Sequence, residues 1–337
     1  MQNNKIFLIT LLLINIHLFL SSKAISKELF NFKIKEIQIT QNGNLFKGFE
    51  GGEVNSNDGV FINAEYFEYN KSDTLLISQG DVVLNDTKKK IIVNAGQISY
   101  LKNLEKITAI KKVKIKDLKK NIIISADKIL YLRDKNKINA YGNVEIIDIN
   151  KKIQINGDKI FYEQKKQKIE ANGNVNLIDE ENNLKISTEN IIYSKRNEKI
   201  LTSGSTQIKI KSRYTFNSSD IEYNKIGMLL SSKNKSKIID NVYLTQYKLS
   251  TFSYDIDKEL LKGTKISIIE NSGVPIDQTN RLYFSDGFFD LKNKKFKTGL
   301  TNIKLRNNIF GKPENDPRLK GVSTSIENDV TSVKKAV

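Results

Sequence analysis

The sequence predicts an all-β fold: an elongated antiparallel β-jellyroll, or β-taco, built of tandem two-strand repeats of about 31 residues. Three observations support this prediction. A short motif recurs at a fixed interval, apolar and polar residues alternate within each copy, and no proline occurs between Ala24 and Pro275. Alternation with a period of two places the apolar side chains on one face of a strand. Proline is disfavoured wherever backbone amides must donate to a neighbouring strand.

The repeat is an eight-residue motif that ends in tyrosine and reads Ile124-Ser-Ala-Asp-Lys-Ile-Leu-Tyr131 in its third copy. The five clearest copies begin, each 31 residues after the one before, at Ile62, Val93, Ile124, Ile155 and Ile186. Two weaker copies end at Tyr223 and Tyr254. Such a fixed period is typical of an array in which each unit buries its apolar face against its neighbours.

Each repeat contains two runs of alternating apolar residues, which predict two strands. The first run has apolar or small residues at positions one, three, six and eight, so the alternation slips by one residue. A slip of this kind indicates a β-bulge that redirects the strand. The second run contains a recurrent glycine, which marks a bend or a close approach of two backbones. These glycines are Gly80, Gly142, Gly173 and Gly204.

The chain divides into three predicted regions. Residues 1–24 have a charged start, an apolar run at 6–20 and small residues at Ser22 and Ala24, the arrangement of a secretory signal peptide. An uncleaved membrane anchor is the alternative, although the apolar run is shorter than the roughly 20 residues that span a bilayer. The repeat domain is predicted over 25–310, with its clearest repeats at 62–240. A flexible tail rich in proline, serine and lysine is predicted at 311–337.

The composition argues against an enzyme. Cysteine is absent and the single histidine, His17, lies within the predicted signal peptide, so disulfides, thiolate chemistry and a Ser-His-Asp triad are excluded. Carboxylates recur at the same place in four of the five clearest repeats, at Glu65, Asp127, Asp158 and Glu189. An active site is normally unique, so we interpret these acids as structural. We expect no catalytic residue, metal site or cofactor.

The chain is strongly basic, with 55 Lys and Arg against 38 Asp and Glu and a formal charge of +17. The lysines are distributed over the predicted turns, as at 88–90, 119–120 and 151–152. We interpret most of them as solvated turn residues, and the alternative is a basic rim for an anionic ligand. Because the positive charge is spread over every turn of an exported chain, nucleic-acid binding is not expected.

A sheet with one apolar face must cover that face by folding over or closing on itself. Complete closure on large side chains would make a structural rod, whereas incomplete closure would leave a trough lined by Ile, Val, Leu and Ala. The small inward residues fit both alternatives, because they either leave room or let two layers approach closely. The candidate groove-lining residues are Ala64, Leu76, Val82, Leu84, Val93, Ala95, Ile107, Val113, Ile115, Ile124, Ala126, Ile129, Ile138, Ala140, Val144, Ile146, Ile155, Ile160, Ile169, Ala171, Val175 and Leu177.

The repeat resembles the OstA-type repeat, most clearly where Ile124–Tyr131 is followed by Ile138-Asn-Ala-Tyr-Gly-Asn-Val144. That family builds the periplasmic part of lipopolysaccharide transport: the soluble bridge LptA, the anchored LptC and the N-terminal domain of the outer-membrane protein LptD. The segment Asn315–Ser323 is similar to the one that leads toward the barrel in some LptD sequences. The resemblance therefore favours an N-terminal domain of LptD type, here without the barrel and without the cysteines found in much of that family.

The resemblance implies a non-catalytic periplasmic domain that carries the acyl chains of lipid A in an apolar groove toward outer-membrane assembly. The implied ligand is lipopolysaccharide, and the implied partner is an LptA-like bridge protein that adds to an edge strand near residues 30–60. An outer-membrane barrel with its lipoprotein plug is a further implied partner. The alternatives are a parallel β-helix adhesin or cell-surface scaffold, and a bridge component of LptA or LptC type.

Overall fold

The computed structural model describes residues 28–307, 309, 314, 317–327 and 330–337, so the predicted signal peptide lies outside the described residues. The described chain forms 26 strands in one hydrogen-bonded sheet, and every pairing between these strands is antiparallel. The predicted all-β fold of consecutive antiparallel strands is confirmed. The antiparallel pairing excludes the parallel β-helix architecture that was the alternative.

The strands are β1 Phe30–Thr40, β2 Leu45–Ser56, β3 Val60–Ala64, β4 Tyr66–Asn70, β5 Leu75–Asp86, β6 Ile91–Leu101, β7 Lys106–Asp117, β8 Ile122–Leu132, β9 Lys137–Asp148, β10 Ile153–Glu163, β11 Lys168–Asp179, β12 Leu184–Ser194, β13 Lys199–Ile210, β14 Tyr214–Ser219, β15 Glu222–Asn224, β16 Leu229–Ser232, β17 Ser236–Asp240, β18 Thr245–Leu249, β19 Thr251–Asp255, β20 Leu260–Ile269, β21 Arg281–Asp290, β22 Lys295–Thr298, β23 Thr301–Lys304, β24 Arg318–Gly321, β25 Ser323–Glu327 and β26 Val330–Lys334. Short 3₁₀ helices occupy Gln41–Gly43, Lys102–Leu104 and Ile276–Gln278. None of the helices in the described chain is long and apolar enough to cross a membrane.

The sheet is folded into two layers along a line of bends. In β10, for example, the register with both neighbours shifts near Gly157, where the predicted bulge lies. The part of each strand on one side of this shift belongs to layer A, which includes residues 137–141 and 159–163. The other part belongs to layer B, which includes 144–148 and 153–157. The inward side chains of both layers form one buried core.

The bends depend on glycine and a neighbouring acid. Gly142 has φ +74°, and Asn143 beside it has φ +46°, a left-handed pair that few side chains tolerate. A Cβ atom on Gly142 would lie 2.5 Å from Asp127 Oδ2. The Asn143 side-chain amide donates a hydrogen bond to the same oxygen at 2.9 Å. The recurrent glycine and the recurrent acid of the sequence are therefore two halves of one bend.

At the bend of β7 the two backbones also approach closely, but here the glycine lies at the facing position and not in the bend itself. At its bend, Lys111 and Lys112 take the left-handed conformation, with φ +69° and +55°, and no glycine is present in that strand. The neighbouring strand has Gly96 in the place of the acid, and a Cβ there would lie 2.9 Å from Lys111 Cβ. Because the backbones approach so closely, one of the two facing positions lacks a side chain.

The structure corrects the prediction of a flexible tail at 311–337, because β24, β25 and β26 continue the sheet. Thr324 is the one buried residue among the described positions of these three strands, so the apolar alternation that would predict them is weak. The Thr324 hydroxyl donates to Thr301 Oγ1 at 2.8 Å, and Thr298 donates to the Thr324 carbonyl at 3.2 Å. A buried hydroxyl is tolerated when it is hydrogen-bonded, so threonine substitutes for an apolar residue here.

We expect Gly142→Ala to lower the free energy of unfolding by more than the roughly 1–2 kcal/mol that a left-handed alanine costs, because its Cβ also meets Asp127. Urea titrations of the full chain measure this. The matched control is Gly43→Ala, since Gly43 has φ +84° with no atom near the added Cβ and therefore reports the backbone cost alone. Equal losses for the two variants would contradict the proposed close approach at the bend.

Candidate functional site: a latched apolar interior

The structure brings the predicted groove residues together in the interior between the two layers. Of the 22 candidates, 21 are buried in one core, and Ala64 is half-buried at its edge. Most of them are almost fully shielded from solvent, as Ile138 and Ala140 in layer A and Ile146 in layer B show. In this state the central repeats enclose a packed interior and not an open trough. Their contact with a lipid stays a prediction.

Opposite the bends, the two layers end in two rows of turns that face each other, and we call this side the mouth. Layer B contributes turns such as 118–121 and 149–152, and layer A contributes turns such as 164–167 and 195–198. Side chains from one row reach the other row. The bends are continuous chain, whereas the mouth is held only by noncovalent contacts.

A buried carboxylate closes the mouth at Asp148. Lys195 Nζ, from layer A, lies 2.8 Å from Asp148 Oδ1, and the Tyr193 hydroxyl donates to Oδ2 at 3.3 Å. The Lys151 amide of the adjacent turn also donates to Oδ1, at 3.3 Å. Lys195 Nζ additionally donates to the Lys120 carbonyl at 2.8 Å. One aspartate thus caps its own turn and binds the opposite layer, and we call this group a latch.

The latch recurs with the repeat. Each copy combines an aspartate of layer B with a tyrosine of layer A and the side chain two residues after that tyrosine. The copies are Asp86 with Tyr131 and Arg133, Asp117 with Tyr162 and Gln164, Asp148 with Tyr193 and Lys195, and Asp179 with Tyr223 and Lys225. The tyrosine follows its aspartate by 44 or 45 residues. This constant separation means that the layers meet with the same stagger along the array.

The tyrosines of the latches remain protonated donors. Burial raises the pKa of Tyr131, Tyr162 and Tyr193, and the aspartate that each one contacts raises it further. A neutral phenol can donate to a carboxylate at any physiological pH, whereas a phenolate would repel it. The hydroxyl of each tyrosine therefore supplies part of the pairing that a buried aspartate requires.

The Asp86 latch extends into a larger charge network. Arg133 Nε lies 2.5 Å from Asp86 Oδ2, and the same guanidinium contacts Glu105 at 2.5 Å and Asp58. Lys102 Nζ lies 2.7 Å from Asp58 Oδ2. Burial opposes the charge on Arg133, but its hydrogen bonds with Asp86 and Glu105 raise its pKa above the ordinary value. Burial likewise acts to raise the pKa of Asp58, yet the hydrogen bond from Lys102 and the charge of Arg133 lower it to about 2.

The chemistry of the mouth differs at two positions. Gln164 replaces the cation at the Asp117 latch and donates a hydrogen bond to Asp117 at 2.8 Å. Its buried Oε1 has no hydrogen-bond partner in the part of the chain that the structure describes. At the next repeat after Lys225, Ile210 stands in the place of the aspartate and Ile256 in the place of the cation, both buried in the core. The mouth can therefore be closed by apolar as well as by charged side chains.

Cavities open near the two ends of the array. At the N-terminal end, Phe30, Phe32, Phe46 and Tyr69 line a cavity of about 280 Å³, with Lys71 at its edge. At the C-terminal end a second cavity of about 270 Å³ contacts β18, β20 and β21. The four latches lie between these two cavities along the chain. In the middle repeats the apolar core is buried, and a pocket of about 410 Å³ lies at the mouth beside Asp117 and Gln164, lined by polar side chains. The cavities with apolar walls lie near the two ends.

The latch aspartates are the site residues that sequence reasoning missed. They recur at intervals of 31 residues at the end of a strand and before a polar turn, at Asp86, Asp117, Asp148 and Asp179. That period was visible in the sequence, but a polar residue before a turn is ordinary turn chemistry. The partner of each aspartate lies in a different repeat, so only the stagger of the folded layers pairs them.

Comparisons with known proteins add a structural likeness. No family model matches the chain, and no curated protein sequence matches it. The solved structures that match include the crystal structure of LptH from Pseudomonas aeruginosa, described as the LptA-homologous periplasmic component of the conserved lipopolysaccharide transport device. The identity is 15%, the TM-score is 0.33, and the match covers 35% of this chain and 93% of LptH. At this level of similarity the match does not show what this chain binds.

We expect Lys195→Met to lower the free energy of unfolding by about 3–5 kcal/mol, because it leaves the buried Asp148 carboxylate without its cation. The double variant Asp148→Ile/Lys195→Ile copies the apolar pair Ile210 and Ile256, and we expect it to lose clearly less. Urea titrations measure both.

The control for the latch variants is Glu222→Gln, which breaks the exposed Lys199–Glu222 pair and should cost less than about 1 kcal/mol. A double variant as unstable as Lys195→Met would show that the mouth depends on charge at this position and not on closure alone.

We expect protonation of Asp58 to lower the free energy of unfolding in acid. Its pKa in the folded state is about 2 and its ordinary value is 3.8, so its stabilising contribution is complete above about pH 4 and is lost as the pH falls toward 2. Asp58→Asn should therefore flatten the decline in the free energy of unfolding between pH 4 and 2. The exposed Asp257→Asn is the control, and an equal flattening in both variants would contradict the assignment to Asp58.

Proposed function

We propose that this chain is a periplasmic component of lipopolysaccharide transport that carries the acyl chains of lipid A between its two layers. The observation that carries the proposal is one apolar interior that continues from repeat to repeat and is closed along one side by noncovalent latches. The resemblance of the motif at 124–144 to the OstA-type repeat supports the same function. The sugar and phosphate groups would remain in water along the polar mouth.

The energetics of acyl burial favour such an interior. Each methylene transferred from water to an apolar environment contributes about 0.8 kcal/mol. The central interior is filled by its own side chains, so the layers must separate at the mouth to admit a chain. The latches allow this, because an aspartate that leaves the interior regains water as a partner. Repetition of nearly the same latch makes successive positions similar in free energy, which favours movement along the array.

The same proposal includes location and partners. The predicted signal peptide would export the chain to the periplasm, where it would act in outer-membrane assembly as the N-terminal domain of an LptD-type protein. Within the described residues β1 pairs only with β2, so its other edge has free backbone groups. An LptA-like bridge protein would add a strand there and extend the interior. A barrel with its lipoprotein plug would follow at the other end.

A structural rod is the second candidate, and the closed packing of the central repeats favours it. A rod would keep the layers together permanently and take up no lipid. The two candidates differ in whether inward side chains of the central repeats ever contact a bound molecule. That difference is directly measurable.

We expect a photo-crosslinking amino acid at Ile138 or Val144, which face the interior, to form adducts with lipopolysaccharide. The same probe at Lys137 or Glu145, which lie on the outer face of the same strand, should form few. Adducts are detected as lipid-shifted bands on a gel. Equal adducts at inner and outer positions, or none at the inner ones, would favour the rod.

A further inference from the structure

The ladder of latches breaks at its C-terminal end. Asp240 is buried and caps its turn in the same way as the latch aspartates. It accepts hydrogen bonds from the backbone amides of Val242 at 2.9 Å and Tyr243 at 3.2 Å. Among the described residues, no tyrosine or cation of the opposite layer hydrogen-bonds to it. Phe289 occupies the position of the latch tyrosine and Leu291 that of the latch cation. Both line the cavity that Asp240 also lines.

The pairing register of the strands shows that Phe289 and Leu291 correspond to the latch tyrosine and the latch cation of the other repeats. Ile169 lies between the latch tyrosines Tyr162 and Tyr193, and in the same way Leu261 lies between Tyr254 and Phe289. Leu291 also makes the turn hydrogen bond that the latch cations make: its amide donates to the Glu259 carbonyl at 3.0 Å, as that of Lys225 does to Glu198.

Arg213 holds Asp240 from the same layer. Its Nη2 lies 2.9 Å from Asp240 Oδ2, and its Nη1 reaches Glu259 of layer A at 3.1 Å. Tyr214 also donates to Glu259, at 2.9 Å. These contacts close the mouth up to Glu259 and satisfy both carboxylates. Beyond them the layers are not joined by a latch at Asp240, and the cavity opens at this break.

The cavity is amphipathic. Its lining combines apolar side chains with both signs of charge, three cations and three carboxylates. The apolar members include Tyr247, Ile268, Leu282, Phe289, Phe296 and Ile326, the cations are Arg213, Lys294 and Lys295, and the carboxylates are those of Asp240, Glu270 and Asp290. Its volume of about 270 Å³ exceeds the roughly 150 Å³ of an apolar cavity that takes up benzene. At the rim, Lys294 Nζ lies 4.5 Å from the centre of the Tyr243 ring. Within the described residues Lys294 forms no ion pair, in contrast to Arg213, although the carboxylates of Glu270 and Asp290 line the same cavity.

We propose that this cavity binds one acyl chain of an anionic phospho-amphiphile, with the phosphate beside Lys294, and that it is a side entrance to the interior. The proposal rests on the proposed function, since lipid A is such an amphiphile. Phe289 and Leu291 keep the entrance open because they cannot latch to Asp240. The cavity accepts the chain without the separation of layers that the central repeats require.

The test is calorimetric titration of the full chain with dodecyl phosphate below its micelle concentration, and with dodecanol as the uncharged probe. The unaltered protein should bind both, and dodecyl phosphate more tightly. Phe289→Tyr/Leu291→Lys restores a latch to Asp240 and should weaken both probes at least tenfold. Lys294→Gln should weaken dodecyl phosphate about three- to tenfold and leave dodecanol unchanged. The exposed Lys292→Gln is the control for loss of charge.

The entrance is refuted if the restored-latch variant is folded and binds as tightly as the unaltered protein, or if the unaltered protein binds neither probe. Ile326→Trp fills the cavity from its rim and answers the same question if the restored-latch variant does not fold. Equal affinity for the two probes with no effect of Lys294→Gln would overturn the phosphate contact. Adducts at Ile138 and Val144 would still support the proposed function when this test fails, so the two failures are distinguishable.

Discussion

The structure depends on one buried carboxylate per latch. A sheet folded into two layers is continuous at its bends but must be held closed on the other side, and Asp86, Asp117, Asp148 and Asp179 do this. An unpaired buried carboxylate would cost several kcal/mol, so each one demands its tyrosine and its cation or amide. That demand sets the stagger of the layers, and the 31-residue period keeps the stagger constant.

The bends are continuous chain, whereas the mouth is held by noncovalent contacts, so we expect the layers to separate at the mouth. Separation of the layers breaks only the noncovalent contacts at the mouth, while the bends act as a hinge with a preset backbone. The chemistry of the mouth also varies along the array, from the Arg133 network through Gln164 to the apolar pair at Ile210 and Ile256. Where no latch is present, at Asp240, a cavity opens. We therefore expect latch chemistry to influence access to the interior, repeat by repeat.

The sequence predicted what is local. The period, the two strands per repeat, the bulge and the glycine at the bend all follow from residues a few positions apart. The inward face was predicted almost completely for the same reason, with Ala64 the exception at the edge of the core. The latches join residues more than 40 positions apart, so no local pattern reveals them. Whether the interior is open or closed depends on that pairing. The C-terminal strands were missed because they bury little, and their one buried position among the described residues is Thr324, a polar residue.

The most direct test of the account is the distance across the mouth. The chain has no cysteine, so spin labels at Asn150→Cys and Asn197→Cys, on facing turns of layers B and A, report this distance by pulsed electron resonance. Asn150→Cys with Glu180→Cys reports two turns of layer B as a control. The account predicts that lipopolysaccharide lengthens and broadens only the distance across the mouth. An unchanged distance at saturating lipopolysaccharide would contradict a latched interior that opens to carry lipid.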